Sequence, residues 1–187
     1  MRTNGPGQSA LLLLDVIDVL CTENLQYMVI GAMAASVHGL VRASLDADAV
    51  LSLPLSELRS LEKQCIEAGF DAELREGDDD DPIPALLEVM DAYGNRVDLL
   101  SGLRGMQAAA FSRAVEVPFH GTLLQVAGLE DFVAMKLFAG GPQDLEDARR
   151  ALQNAADDLD AALLEQIVQG YGPSAVEALR NLGSSPS

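Results

Sequence analysis

Apolar residues recur at helical spacing from Ser9 to about Thr22, with Leu12, Val16, Ile17 and Leu20 on one face and Ser9 placed to cap the first turn. The period then shortens: Tyr27 to Ile30 has the length and composition of a buried strand, and it runs into Gly31. Ala32 to His38 predicts a short helix ending at Gly39. Leu45 to Leu53 predicts a second strand, stopped by Pro54, in which Asp46 and Asp48 alternate with Leu45, Ala47 and Ala49. An amphipathic helix over Ser56 to Ala68, closed by Gly69, leads to a strand at Phe70 to Arg75. After a loop from Gly77 to Pro84, Leu86 to Met90 and Arg96 to Leu100 read as a hairpin around Asp91-Ala-Tyr-Gly94. A helix near Met106 to Ser112 precedes two short strands, Ala114 to Pro118 and Leu123 to Ala127. From there the pattern is helical: Glu130 to Phe138, Asp144 to Asn154, Ala161 to Val168 and Ser174 to Leu182.

This order predicts an α+β fold, a mixed β-sheet flanked by helices, with a core over residues 8–128 and a helical C-terminal section over 129–182 packed on it. A doubly wound parallel sheet is disfavoured, because the strands around 86–100 and 114–127 lie too close for crossover helices. A chain of 187 residues buries roughly 70% of its unfolded surface and needs no staples. Abundant Ala and Leu with no Trp favour smooth, closely packing helices. Cys21 and Cys65 are too few for a disulfide framework or zinc site and read as buried thiols. The termini, residues 1–7 and 183–187, are rich in Gly, Pro and Ser and are expected to fray. Neither a signal segment nor a membrane span is visible, which predicts a cytoplasmic protein with no membrane partner.

Charge narrows the choice of partners. The formal net charge of −17 repels polyanions, so extended nucleic acid is an unfavourable partner and a small molecule or a protein is a better one. A nucleoside triphosphate carried with Mg²⁺ needs only a local basic pocket, which such a field still allows.

The candidate chemistry lies in Arg42-Ala-Ser-Leu-Asp-Ala-Asp48. On a strand Asp46 and Asp48 share a face, and two carboxylates at that spacing repel unless a cation lies between them. Mg²⁺, with Mn²⁺ as an alternative, is a hard ion suited to such oxygen ligands. Asp98, in Arg96-Val-Asp-Leu-Leu100, joins the same site if its strand lies beside the first. A solvated strand face is the plainer reading of an Asp-x-Asp pair alone. What weighs against it is the order of parts: strand, Gly31, short helix, Gly39, basic residue, Asp-x-Asp strand, later strand Asp. A glycine at a strand-to-helix turn lets backbone amides approach phosphate oxygens.

Tyr27-Met-Val-Ile-Gly-Ala-Met-Ala-Ala-Ser-Val-His-Gly39 followed by Arg42 to Asp48 resembles the DNA polymerase β-type nucleotidyltransferase superfamily. More narrowly, the pattern is similar to the AbiEii/AbiGii toxin-type branch. Leu129 to Ala139, with Lys136, and Pro142 to Asp147 resemble that branch's Lys-bearing helix and the Asp-x-x-Asp helix after it, so the likeness covers about residues 25–150. The resemblance implies metal-dependent transfer of a nucleotidyl group from a nucleoside triphosphate to a protein or small-molecule hydroxyl, within a toxin–antitoxin or defence pair. It also implies roles: Asp46, Asp48 and Asp98 as metal ligands, Asp98 alternatively as base, and Lys136 neutralising phosphate charge. Gly31, Ala32, Arg42 and Ser44 would contact the nucleotide, and Asp147 would orient it or Lys136. Ala32 stands where the family commonly has a second Gly or a Ser, which removes one hydroxyl hydrogen bond to phosphate and keeps the backbone amide.

Plainer readings stand beside these roles. Lys136 snorkels or pairs with Asp144 or Asp147, Asp144 is a first-turn acid favoured by the helix dipole, and Arg42 pairs with a nearby acid. His38 and His120 have no metal-ligand company and are structural, and the run Asp78 to Asp81 lacks EF-hand spacing and is a solvated loop. The C-terminal helices cover the cleft or form a homodimer or cognate-partner surface. A second functional class is thus open: a catalytically weak relative kept as a binding or regulatory partner.

Overall fold

The computed structural model describes residues 1–40, 44–78, 81–155 and 158–183. The elements run α1 (Ser9–Thr22), β1 (Tyr27–Val29), α2 (Gly31–Val37), β2 (Asp46–Leu51), α3 (Leu55–Glu67), β3 (Asp71–Glu76), β4 (Ala85–Met90) and β5 (Arg96–Leu100). A 3₁₀ segment (Ala108–Arg113), β6 (Val115–Phe119), β7 (Thr122–Val126), α4 (Leu129–Ala139), α5 (Pro142–Ala155), α6 (Ala161–Gly170) and α7 (Pro173–Gly183) complete the series.

The strands among the described residues form one seven-stranded mixed sheet in the order β3-β4-β5-β2-β1-β7-β6. Short connections give antiparallel neighbours, β3–β4, β4–β5 and β6–β7. β2 and β5 are separated by α3 and a hairpin, and they lie parallel. Ala47, Ala49, Leu87, Val89, Val97 and Leu99 are all almost fully buried on one face of this part of the sheet, where α1 and α3 pack. Leu12, Leu13, Leu14, Ile17 and Leu20 of α1 and Leu58 and Leu61 of α3 fill that layer. The alternate positions on these strands carry the charged residues, so one strand period divides core from chemistry.

α4 is apolar nearly all round, with Phe132, Val133, Ala134, Met135 and Leu137 buried, and such a helix must be covered by others. α5, α6 and α7 surround it. It ends at Gly140, whose φ of 67° lets its N–H bond the Lys136 carbonyl. Its start is fastened by Arg113, whose Nε and Nη2 donate to Asp131 at 2.6 and 2.7 Å.

Several expectations are corrected. The segment expected as a helix from Met106 is a 3₁₀ turn beginning at Ala108, because Gly102 and Gly105, both at positive φ, keep the backbone turning and leave too few residues before β6. Ser9 does not cap α1. Its hydroxyl donates to the Leu45 carbonyl at 2.5 Å and accepts from the Arg96 N–H at 3.1 Å, tying the helix start to β2 and β5. Leu45, expected to face the core, precedes β2 and is 83% exposed. Cys21 is exposed on the outer side of the last turn of α1, whereas Cys65 is buried, and burial pushes its thiol up to about 12. Of the aspartate run, Asp79 and Asp80 lie outside the described residues. Asp81 accepts from the Asp78 N–H at 2.9 Å, and its carbonyl accepts from Arg104 at 2.8 Å, which fastens the turn. Among the described residues no helix is long and apolar enough to cross a membrane.

The N-terminal segment is not frayed. Arg2 bonds Asp15 and Asp18, and Asn95, only 1% exposed, holds the segment from below. Asn95 Nδ2 donates to the Gly5 carbonyl at 2.9 Å and to Asp91 Oδ2 at 2.7 Å, while its Oδ1 accepts from the Gln8 N–H at 2.6 Å. Asn95→Ala strands buried partners on both sides. It should lower unfolding free energy in urea by about 2–4 kcal/mol and expose residues 1–8 to limited proteolysis. Unchanged urea midpoint and cleavage rate would contradict this account.

Candidate functional site

The site begins with strand register. β2 and β5 pair in parallel with Asp46 opposite Arg96 and Asp48 opposite Asp98, and β5 pairs with β4 so that Glu88 lies opposite Asp98. Directly paired residues share a sheet face, so Glu88, Asp98 and Asp48 form a row across three strands, with Arg96 and Asp46 beside them. The three aspartates singled out in the sequence are therefore brought together. Two further members were not anticipated. Arg96 stands two residues before Asp98, and that spacing alone puts it on the same face; Glu88 depends on hairpin register and left no local trace.

Arg96 bridges the group. Its Nη2 bonds Asp46 Oδ2, its Nη1 lies 3.4 Å from Glu88 Oε2, and its Nε lies 3.5 Å from Asp98 Oδ1. Glu88 is also reached by Arg75 Nη2 at 3.3 Å. Among the described residues Asp48 has no such bond, and its carboxyl is pushed up to about 6 by burial first, then by Asp98 and Asp46, with Lys136 and Arg96 opposing. Burial also raises Asp98, against the pull of Arg96 and with Glu88 and Asp46 adding to the rise. The Arg96 guanidinium is held protonated mainly by its bond to Asp46.

Gly31 is required by close approach. The Ile30 N–H bonds the Asp48 carbonyl at 2.9 Å, and a Cβ at Gly31 would lie 2.0 Å from Asp48 Oδ2. Its φ of +63° disfavours any L side chain besides. The turn into α2 is thus shaped around the Asp48 carboxylate. A cleft of about 180 Å³ adjoins it, lined by Ala32, Met33, Ser36, Ser44 and Asp46 among others. Ser44 Oγ accepts from the Asp46 N–H at 3.4 Å, at the mouth of this cleft. Arg42 lies outside the described residues.

Lys136 comes from α4, 12% exposed at its side chain, with Nζ 2.6 Å from Asp144 Oδ1 and 3.2 Å from Asp147 Oδ2. It also lies 5.9 Å from the centre of the Phe132 ring. Asp144, read as a first-turn acid, sits there but also binds Lys136, because α4 and α5 pack closely enough for both acids to reach one ammonium. Asp147 accepts from Gln143 Nε2 at 3.0 Å as well. His38 bonds the Ala127 carbonyl at 2.9 Å and stacks against Phe132, and burial lowers its affinity for protons.

All the potential metal donors are carboxylate oxygens, and Asp98 Oδ1 is buried with no hydrogen-bond partner. Such a donor set fits a hard divalent ion. Asp46, however, is turned to Arg96, and among the described residues no three His, Cys, Asp or Glu side chains are gathered so as to hold a metal ion in this arrangement.

No protein-family model and no curated protein matches the chain. Solved structures do. The antibiotic-resistance factor ANT(2″)-Ia in solution aligns over 91% of this chain and 94% of its own, at 16% identity and a TM-score of 0.60. The same factor in complex with adenylyl-2″-tobramycin aligns over 86% and 94%, at 16% identity and 0.54. A protein of Thermotoga maritima assigned to the nucleotidyltransferases aligns over 81% and 97%, at 16% identity and 0.56. These likenesses show that the chain has the fold of nucleotidyltransferases.

Two predictions follow from the geometry. Because the Asp48 carboxyl is raised above its unfolded value, the folded chain favours its protonated form, and stability falls as pH rises from about 4 through about 6. In metal-free buffer Asp48→Asn should therefore be more stable than the wild type by about 3 kcal/mol at pH 7.5, with the gain vanishing near pH 4. A gain independent of pH would contradict the assignment. Gly31→Ala should lower the thermal midpoint and displace the Asp48 carboxylate, at a cost of about 1–2 kcal/mol for the backbone alone.

Proposed function

We propose that the chain transfers a nucleotidyl group from a nucleoside triphosphate to a hydroxyl of a small molecule or protein. The observation that carries this reading is the pairing of Asp48 with Asp98 beside Gly31, on a fold shared with nucleotidyltransferases. In the reaction the acceptor oxygen attacks the α-phosphorus, the bond to the pyrophosphate oxygen breaks, and pyrophosphate leaves. Asp46, Asp48 and Asp98 would hold Mg²⁺ or Mn²⁺, which supplies positive charge to the triphosphate oxygens when bound. Asp98 would alternatively act as the base that takes the acceptor proton.

The backbone at Gly31 and Ala32 and the side chain of Ser44 would contact the nucleotide, with Ala32 and Ser44 lining the cleft beside Asp46. Arg42 is assigned to the triphosphate by resemblance alone. Lys136, delivered by the helical section over 129–182 to the core over 8–128, stabilises charge on the transferring phosphate, and Asp147 orients it. One of the aligned structures holds adenylyl-2″-tobramycin, which favours a small-molecule acceptor over a protein. The AbiEii-type branch and a place in a toxin–antitoxin pair rest on the sequence motifs only.

A second reading has its own support. Arg96 occupies the midst of the acidic group, and Ala32 removes a phosphate-binding hydroxyl, as expected of a chain kept for binding rather than turnover. Calorimetry with each nucleoside triphosphate, with and without Mg²⁺, separates the two. The enzyme reading expects metal-dependent binding that Asp46→Ala abolishes, and label transfer to an acceptor that Lys136→Ala slows on the order of a hundredfold. Absence of nucleotide binding by the wild type would leave the binding-module reading standing.

A further inference from the structure

We infer that Arg96 is the resident counter-ion of the acidic patch and competes with a divalent metal for Asp46 and Asp98. The inference rests on the metal-dependent reading above and concerns the protein before metal and nucleotide arrive. One guanidinium reaches three acids: Asp46 through Nη2, Glu88 through Nη1 at 3.4 Å and Asp98 through Nε at 3.5 Å. Left without a cation, carboxylates this close on one sheet face repel.

The three contacts are unequal. The bond to Asp46 is directional, whereas Arg96 Nε and Asp98 Oδ1 are both buried without a hydrogen-bond partner, so Asp98 receives charge and no hydrogen bond. Its Oδ1 therefore remains short of a bond, and a cation that takes it must displace the Arg96 Nε packed 3.5 Å away. Asp46 is different: its Oδ2 is given to Arg96, so a metal that meets its other oxygen, Oδ1, has a guanidinium beside it. A divalent ion seated on Asp46 therefore repels that guanidinium and weakens the Arg96–Asp46 bond. Glu88 makes that release tolerable: it is 6% exposed, fixed from its other side by Arg75, and keeps the guanidinium partnered after Asp46 is surrendered. The patch thus exchanges one cation for another and is never without one.

The rival account is an ion pair that merely fixes strand register, with no bearing on metal. Titration with Mn²⁺ alone, followed by calorimetry and by the electron paramagnetic resonance of free ion, distinguishes them in wild type and Arg96→Gln. The inference expects Arg96→Gln to bind Mn²⁺ about tenfold more tightly, a ratio equivalent to about 1.4 kcal/mol. In chelator the variant should melt roughly 2–4 °C lower than wild type, and Mn²⁺ should raise its midpoint by more. Equal or weaker Mn²⁺ binding by the variant overturns the inference and leaves the metal site standing. No Mn²⁺ binding by either protein overturns both. If Arg96→Gln does not fold in chelator, Arg96→Lys decides: it keeps the charge, loses the fork and should bind Mn²⁺ more tightly than wild type, and equal or weaker binding sinks the proposal.

Discussion

β2 and β5 lie forty-odd residues apart in the chain, yet they run side by side and parallel, with residue 48 facing residue 98. A one-residue slip would send every charged side chain of either strand into the apolar layer under α1 and α3, replacing Ala47 and Ala49 with aspartates. Register here is consequently fixed by core packing, and the core, in fixing it, also sets the spacing of the acids. Ser9 reinforces the alignment from the end, since one hydroxyl holds both the Leu45 carbonyl and the Arg96 N–H.

Alignment of this kind is costly. Carboxylates aligned across neighbouring strands raise one another's energy, and Asp48 carries the largest burden, being buried and bonded to neither arginine. The sheet answers with two guanidinium groups, Arg75 and Arg96, which join Glu73, Glu88, Asp98 and Asp46 into one chain of ion pairs. Such a network is held partly by the hydrophobic layer beneath it. Opposite charges alone, at this exposure, contribute little.

Much of this was legible in the sequence, and the exceptions have physical reasons. Period-two alternation around Asp46 and Asp48 and around Asp98 marked both strands and their charged faces, because alternation is a local property. Which strands become neighbours is not local, and only the likeness of the Gly31-to-Asp48 segment to known nucleotidyltransferases suggested it. Glu88 was invisible for the same reason: nothing in Leu86 to Met90 says what lies opposite. The Gly and Pro content of the N-terminal segment predicts fraying, since composition cannot show that Asn95, far along the chain, bonds both Gly5 and Gln8. Ser9 likewise reads as a helix cap because its true partners are distant in sequence.

The distribution of positive charge then bears on how a polyanion can be accommodated at all. Arg2, Arg59, Arg75, Arg96, Arg113, Lys136, Arg149 and Arg150 all carry ion pairs to acids of the same chain. Against a net charge of −17, a triphosphate approaching any of these meets a basic group already engaged, which must release an acid to receive it. A triphosphate accompanied by a divalent cation faces a smaller barrier, because the acidic face that repels the bare anion attracts its metal. Acids that repel a bare polyanion thereby favour a ligand that brings its own positive charge. Lys136, shared between Asp144 and Asp147 at the edge of α4, is the one ammonium so placed that its field already reaches Asp48.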